Sequence, residues 1–174
     1  MSADPVDPSD PLQPVDAAAF RVVAGRFATG ISVVATTFDG VDHAMTVNAF
    51  TSVSLEPLLV LICVEKITRF HRAVLGSGSW AMSILSDDAE DAARWFAEKA
   101  RPTGGQLADY AHRPGPATGM PVLAQAMAVI ECRTRAVYDG GDHDILLGDV
   151  VGLWADPAAR RPLLYLEGRY RQLP

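Results

Sequence analysis

The chain has 174 residues, the length of a single domain. That is enough to bury roughly 70% of the surface its unfolded form exposes, so a core needs neither disulfides nor structural metal. With 49% hydrophobic and 21% charged residues it is neither disordered nor fibrous. A net charge of −6 repels phosphate backbones and argues against nucleic acid as a partner; an anionic ligand would need a local cationic or N–H site.

The longest apolar run, Leu58 to Val64, is a strand's length and far short of the roughly 18 residues of a spanning helix. The opening Met-Ser-Ala-Asp lacks the basic and apolar regions of a secretory signal. Cys63 and Cys132 lie inside apolar, strand-like runs and read as small buried hydrophobes. A cytoplasmic protein with no membrane association is the expectation. The 2 Lys against 13 Arg, with abundant Ala, suggest a GC-rich bacterial genome.

In chain order, residues 1–14 carry Pro at 5, 8, 11 and 14 and Asp at 4, 7 and 10. They cannot offset their ordering entropy, so a disordered arm over 1–15 is expected ahead of a domain over 16–174. Asp16 caps a helix that places Phe20, Val23, Ala24 and Phe27 on one face, with Gly30 as its stop. ISVVATTF at 31–38, then Asp39-Gly40 and a return strand from Val41, predict a hairpin. LLVLICV at 58–64 is apolar on both faces and is expected to be central and doubly covered. A helix over 68–75 puts Phe70, Ala73 and Val74 on one face; Gly76 and Gly78 end it, and WAMSIL at 80–85 is a strand. A second helix starts near Asp87 with Glu90 in capping-box position and is expected to bury Ala92, Ala93, Phe96, Ala97 and Ala100. Residues 101–121, with four Pro and four Gly, read as a long loop that is functional or draped over a partner. Alternation over 126–138 predicts a half-buried strand with Glu131, Arg133 and Arg135 on its polar side. A turn at 139–141 leads to ILLGDVVGLW at 145–154, where Gly148 and Gly152 suggest bends or a bulge, and LLYLEG is the final strand. Six to eight strands and two or three helices, joined mostly strand to strand, predict a mainly β fold with some α: a closed antiparallel barrel with helices covering its ends.

GSGSWA at 76–81 matches a loose G-x-G-x-x-A. The dinucleotide fingerprint needs a strand before it and a helix after it; here the order is reversed, so a nicotinamide cofactor must bind by another route. MTVNAFTSVSLEP at 45–57 sets the polar groups of Thr46, Asn48, Thr51, Ser52 and Ser54 among small residues. That mix lets a planar ligand approach the backbone, although a Ser/Thr-rich edge strand is the plainer account of the same pattern. Glu65-Lys66-Ile67-Thr68-Arg69 puts two cations and a hydroxyl ahead of a helix, either a phosphate site or an ordinary solvated cap. His143, in the turn Gly141-Asp142-His143-Asp144, has the chemistry of a general acid, a metal ligand, a hydrogen-bonding contact or a solvated residue. Histidines 43, 71, 112 and 143 show no metal-site spacing, so no metal is expected. Without a G-x-S-x-G elbow a hydrolase is unsupported.

Phe20-Arg21, Phe27-Ala28-Thr29-Gly30, the run Thr46 to Ser54, Pro57, Phe96-Ala97, Glu131-Cys132, Gly141-Asp142-His143, Gly148-Asp149-Val150 and Gly168-Arg169-Tyr170, read in that order, closely resemble the short-chain flavin reductases. These are the reductase components of two-component flavin-dependent monooxygenases. The resemblance spans about residues 18–173, and TVNAFTSVSL and GDH are its most specific blocks; Leu58 departs where many members carry a second proline. It implies the FMN-binding split barrel, with two or three covering helices, as an intertwined homodimer holding flavin partly between subunits. It also implies hydride transfer from NADH or NADPH to FAD or FMN, and reduced flavin that diffuses to a separate flavin-dependent monooxygenase. By the resemblance Thr46, Asn48 and Ala49 line the isoalloxazine, and Thr51 and Ser52 contact the ribityl chain or phosphate. Lys66 and Thr68 lie at the phosphate end, Phe96 near the flavin or adenine, and His143 and Tyr170 on the nicotinamide side. No side chain is an obligatory catalyst, and His143 is an orienting contact. A split-barrel flavoprotein that keeps its flavin tightly, as an oxidase or sensor, and a non-enzymatic interaction module are the competing classes.

Overall fold

The computed structural model describes residues 15–158 and 160–173; the expected N-terminal arm, Val15 apart, lies outside them. In chain order the elements are α1 (Ala17–Ala24), β1 (Thr29–Gly30), β2 (Ser32–Phe38), β3 (Val41–Val47), β4 (Phe50–Leu55), β5 (Leu58–Glu65), α2 (Arg69–Ser77) and β6 (Ser79–Leu85). A 3-10 turn (Asp87–Ala89), α3 (Glu90–Ala97), β7 (His112–Pro114), β8 (Pro121–Leu123), β9 (Ala126–Gly140), β10 (His143–Ala155), β11 (Leu164–Leu166) and β12 (Arg169–Arg171) follow. No helix among the described residues is long and apolar enough to cross a membrane.

Seven strands form one antiparallel sheet in the order β3-β2-β6-β9-β10-β5-β4. Among the described residues no ladder joins its end strands β3 and β4, so the hydrogen-bonded closure expected of a barrel is not what the pairings display. Asn48-Ala49 links the two ends covalently, and the Cys63 N–H donates to the Ala49 carbonyl at 3.1 Å. Smaller sheets pair β1-β11-β12 and β7-β8. The hairpin at Asp39-Gly40 forms as expected, with φ of 50° and 73°, the left-handed pair that a tight two-residue turn demands. Side chains of the sheet feed two apolar clusters. Val33, Ala35 and Ala44 pack with Ala92, Ala93 and Phe96 of α3. Val34, Ile62, Trp80, Met82, Cys132 and Leu146 pack with Phe70 and Val74 of α2.

Several local expectations are corrected. α1 is capped by Asp16, whose Oδ1 accepts from the Ala18 and Ala19 N–H groups at 2.9 and 2.8 Å. It ends at Gly25 rather than Gly30, leaves Phe27 outside, and buries none of its residues. α2 runs through Gly76 and stops at Gly78, whose φ is 68°; a Cβ on Gly76 would run into the Phe38 ring. α3 stops at Ala97; Ala97 itself and Ala100, beyond the helix, are exposed instead of buried. β5 lies next to the edge: Val60, Ile62 and Val64 are buried, while Leu59, Leu61 and Cys63 are half-buried and Leu58 is exposed. One face, not two, is covered within this chain. Glu131 is 2% exposed rather than on the water side. Its Oε2 accepts from the Thr118 Oγ1 at 2.6 Å and N–H at 2.7 Å, and Oε1 and Oε2 each lie 3.2 Å from the Ala117 N–H. The 101–121 segment thus folds over its own chain and satisfies that carboxylate.

Gly148 and Gly152 sit at register shifts in β10, as their positions suggested. A Cβ at Gly148 would approach the buried Trp80 ring to 2.7 Å. Cys132 is buried and Cys63 half-buried, both as free thiols; burial pushes the Cys132 thiol up to about 12.

Candidate functional site

The N-terminus of α2, the C-terminal end of α3 and the middle of β3 enclose a cleft of about 190 Å³ lined by Thr46, Thr68, Arg69, Phe96, Lys99 and Arg101, among others. Thr46 points its hydroxyl at α3 and donates to the Ala93 carbonyl at 2.7 Å. Thr68 is the N-cap of α2: its Oγ1 accepts from the His71 N–H at 3.2 Å and donates to the Glu65 carbonyl at 2.8 Å. Phe96 forms the floor, 5.1 Å from the Tyr110 ring centre, with the Arg101 guanidinium 5.6 Å from its own. Lys99 is paired with Glu65 at 2.9 Å. Arg101 donates from Nη1 to Trp95 O at 2.9 Å and from Nη2 to Ala44 O at 2.6 Å. Burial, and then the nearby Arg69 charge, lower its proton affinity.

Asn48, Ala49, Thr51 and Ser52 are all exposed, at the start of and along the edge strand β4, where the register slips between Ser52 and Ser54. Asn48 Nδ2 donates to Thr29 Oγ1 at 3.3 Å. Asn48 also lines a hollow of about 350 Å³ with Phe27, Thr29, Ser32, Phe50 and Ile84.

At the far end of β5 the Lys66 ammonium binds the Asp139 carboxylate and the Gly141 carbonyl, the latter at 2.7 Å, and sits 3.4 Å from Asp144. Asp144 Oδ2 lies 2.7 Å from His71 Nε2. Hydrogen bonds from Lys66 and from His71 hold the Asp139 and Asp144 carboxyls, respectively, below the usual carboxylate range. His143, opposite Glu65 in the β10–β5 ladder, is half-exposed and keeps Nδ1 2.7 Å from Asp142 Oδ1. Tyr170 packs edge-on to Tyr165 at 5.4 Å, with the Arg94 guanidinium 4.8 Å from its ring centre. Burial pushes its phenol pKa up.

A family model described as flavin reductase like domain matches residues 24–174. The chain belongs to the flavin reductase-like family. It is 40% identical over 173 residues, 99% of this chain and 94% of the relative, to an NADH-dependent FAD reductase of Streptomyces globisporus. It is 36% identical over 157 residues, 90% of this chain and 82% of the relative, to the reductase subunit HsaB of a flavin-dependent monooxygenase from Mycobacterium tuberculosis. Among solved structures, the NADH:FAD oxidoreductase of Streptomyces globisporus C-1027 in complex with NAD and FAD fragments superposes with a TM-score of 0.84 at 38% identity, covering 99% of this chain and 98% of that one.

In this flavin reductase-like chain the sequence-derived residues fall into neighbouring groups. Thr46, Thr68 and Phe96 share the cleft. Asn48, Ala49, Thr51 and Ser52 follow one edge, Lys66 and His143 meet at the β9–β10 turn, and Tyr170 leans on α3 through Arg94. Lys66 is occupied by carboxylates. The cations that line the cleft beside Thr68 are instead Arg69, Arg101 and Lys99, the last paired with Glu65, and the Glu98 carboxylate lines the same wall. Arg69 was legible as part of a basic pair before a helix. Arg101 had no local signal, because it stands 32 residues away in what reads as a loop.

Proposed function

We propose that this chain is an NAD(P)H:flavin oxidoreductase that binds FAD or FMN along the β4 edge and the adjoining cleft, reduces it with NADH or NADPH, and releases reduced flavin to a separate flavin-dependent monooxygenase. The observation that carries the reading is the open, polar edge formed by Asn48, Ala49, Thr51 and Ser52 in a chain of the flavin reductase-like family. Among the described residues β4 has a ladder partner on one side only, so its outer N–H and C=O groups are available to the hydrogen-bonding rim of a planar ring. The small side chains let such a ring approach the backbone, and the hydroxyls suit a polyol chain. The residues fit a flavin, and their exposure suits one that comes and goes.

Bound together, nicotinamide and flavin supply the redox chemistry, a hydride passing from C4 of the first to N5 of the second. The chain's contribution is placement and electrostatics. Thr46 spends its proton on Ala93 O, so toward a ligand it offers lone pairs. Asn48 and the outer β4 N–H groups offer donors where electron density accumulates. Thr68 and the first N–H groups of α2 favour an anion at the other end of the cleft. His143, steadied by Asp142, orients the nicotinamide together with Tyr170, and no proton need pass through it.

We read the curled sheet and its helices as a split barrel over residues 16–174, acting in the cytoplasm, where Cys63 and Cys132 stay reduced. The active form is a homodimer, supported by the uncovered apolar side chains of Phe20, Val22, Val23 and Phe27. The test is loss of NADH absorbance in air, with FMN, FAD and riboflavin added in turn and then with NADPH. Oxidation that depends on added flavin is expected. No oxidation with any pair, from a protein that keeps a yellow colour through dialysis, would transfer the reading to a flavin-holding relative.

A further inference from the structure

The His143 ring is held by one group only. Among the described residues its side-chain hydrogen-bond partner is the Asp142 carboxylate, which is itself 89% exposed. A solvated carboxylate on the neighbouring residue does little to fix where an imidazole points. The turn behind it, Gly140-Gly141, has the widest choice of backbone conformations of any dipeptide, and Gly141 takes a φ of 84°. Whatever precision the ring has must therefore come from the main chain on either side of it.

That main chain is grasped from the end of β5. The Lys66 N–H donates to the Asp142 carbonyl at 3.0 Å. Its ammonium donates to the Gly141 carbonyl at 2.7 Å and binds the Asp139 carboxylate. Beyond His143 the same ammonium lies 3.4 Å from Asp144. Asp144 is also met from α2 by His71, Nε2 to Oδ2 at 2.7 Å, and both of these side chains are only 15% exposed. One lysine thus reaches residues 139, 141, 142 and 144, and a histidine reaches 144 from a second direction. His143 is bracketed without being touched. Glu65, opposite His143 in the ladder, has its carboxylate taken up by Lys99 rather than by the ring.

The resemblance of the sequence puts Lys66 at the phosphate end of a flavin, but the geometry gives it other work. An ammonium has three donors, and three acceptors already stand around this one. A group that holds a ligand contact to within about 0.5 Å governs affinity as strongly as the contact does. We propose that Lys66, with His71 behind Asp144, is a positioning residue for the nicotinamide: it sets the turn from which His143 reaches that ligand and takes no part in holding flavin. This rests on the reading of His143 as a nicotinamide contact.

The experiment measures binding without turnover, by calorimetry of NAD+ added to the chain saturated with oxidised FMN, and by flavin fluorescence for FMN and riboflavin alone. The variants are Lys66→Met, His143→Ala and the two combined. Lys66→Met should weaken NAD+ binding about fivefold, a coupling of the size found between neighbouring residues, while FMN and riboflavin bind as they do to wild type. In the His143→Ala background the same change should add nothing, because its effect runs through the imidazole. Lys66→Arg, which keeps the charge and the donors, should recover part of the loss. Weakened FMN binding with riboflavin unchanged would make Lys66 a phosphate ligand and overturn the proposal. So would equal weakening of all three ligands, no weakening of any, or losses that add in full to those of His143→Ala. If Lys66→Met loses its cooperative melting transition, His71→Phe decides by the same ratios, since it removes the second contact to Asp144 and leaves Lys66 in place. A wild-type chain that binds NAD+ but leaves every flavin unreduced would sink the reductase reading alone; one that binds no NAD+ would sink the positioning role.

Discussion

His143 leans its Nδ1 on the Asp142 carboxylate while the ring stays half-exposed at the end of β10. A ring so steadied is suited to receive and orient a ligand, and hydride transfer between two cofactors asks for no proton from it. His143→Ala is therefore expected to raise KM for NADH severalfold and to lower kcat less, in steady-state kinetics at saturating FMN. A large loss of kcat at unchanged KM would make the imidazole a participant in the chemistry instead. Residues such as Thr46, Thr68 and His143 were legible because local polarity within an apolar run, or within a turn, marks them. Glu131 and Arg101 were not. Glu131 sits in an alternating strand, where pattern assigns it to water. Only the folded 115–118 segment, with its N–H groups and the Thr118 hydroxyl, makes burial tolerable there.

At the scale of elements, the β9–β10 turn is clasped to the end of β5 and to α2 by Lys66, Asp139, Asp144 and His71. The clasp fixes the turn that carries His143 relative to the helix that begins after Thr68. Asp144 has a folded pKa held down first by the His71 hydrogen bond and then by the Lys66 charge. A depressed carboxyl contributes stability above its unfolded value of about 3.9 and loses it as pH falls through the lower folded value. Lys66 is raised, chiefly by its hydrogen bond to Asp139, so its contribution is present below its unfolded value of about 10.4 and is lost as pH rises through the folded one. The clasp accordingly spans the neutral range. Asp144→Asn should melt at a lower temperature than wild type near neutrality, with the two melting curves converging once Asp144 is protonated in strong acid. A gap of constant size at every pH would mean that the carboxylate charge contributes nothing. The turns, caps and hairpins of such elements were readable from residues a few positions apart: Asp39-Gly40, Asp16 and the Gly148 and Gly152 bends all act where sequence placed them. The lengths of α1 and α3 were not, because the face pattern continues through Phe27 and Ala100 while the helical hydrogen bonding gives way to three-residue turns after Ala24 and Ala97.

For the whole molecule, the apolar surface left uncovered is the informative quantity. Phe20, Phe27, Leu55 and Leu153 are 71%, 78%, 87% and 67% exposed, more than isolated surface hydrophobes would lead one to expect of a monomer. α1 has a helical apolar face and buries none of it, although most helical stability comes from packing such a face. β5 adds to this: its sequence is apolar on both sides, yet Leu59, Leu61 and Cys63 are only half-buried within one chain. The doubly covered strand read from LLVLICV and the singly covered strand in the fold agree if a second copy supplies the missing layer. Light scattering coupled to gel filtration should then give twice the 18.6 kDa chain mass. Phe20→Ser combined with Phe27→Ser should shift the mass toward the monomer. If the second copy also walls the flavin site, the same pair of changes should weaken FMN binding although Thr46, Arg69 and Arg101 are untouched. A wild-type chain that runs as a monomer at every concentration and still binds FMN would remove the second copy from the site and leave the α1 face without a role in it.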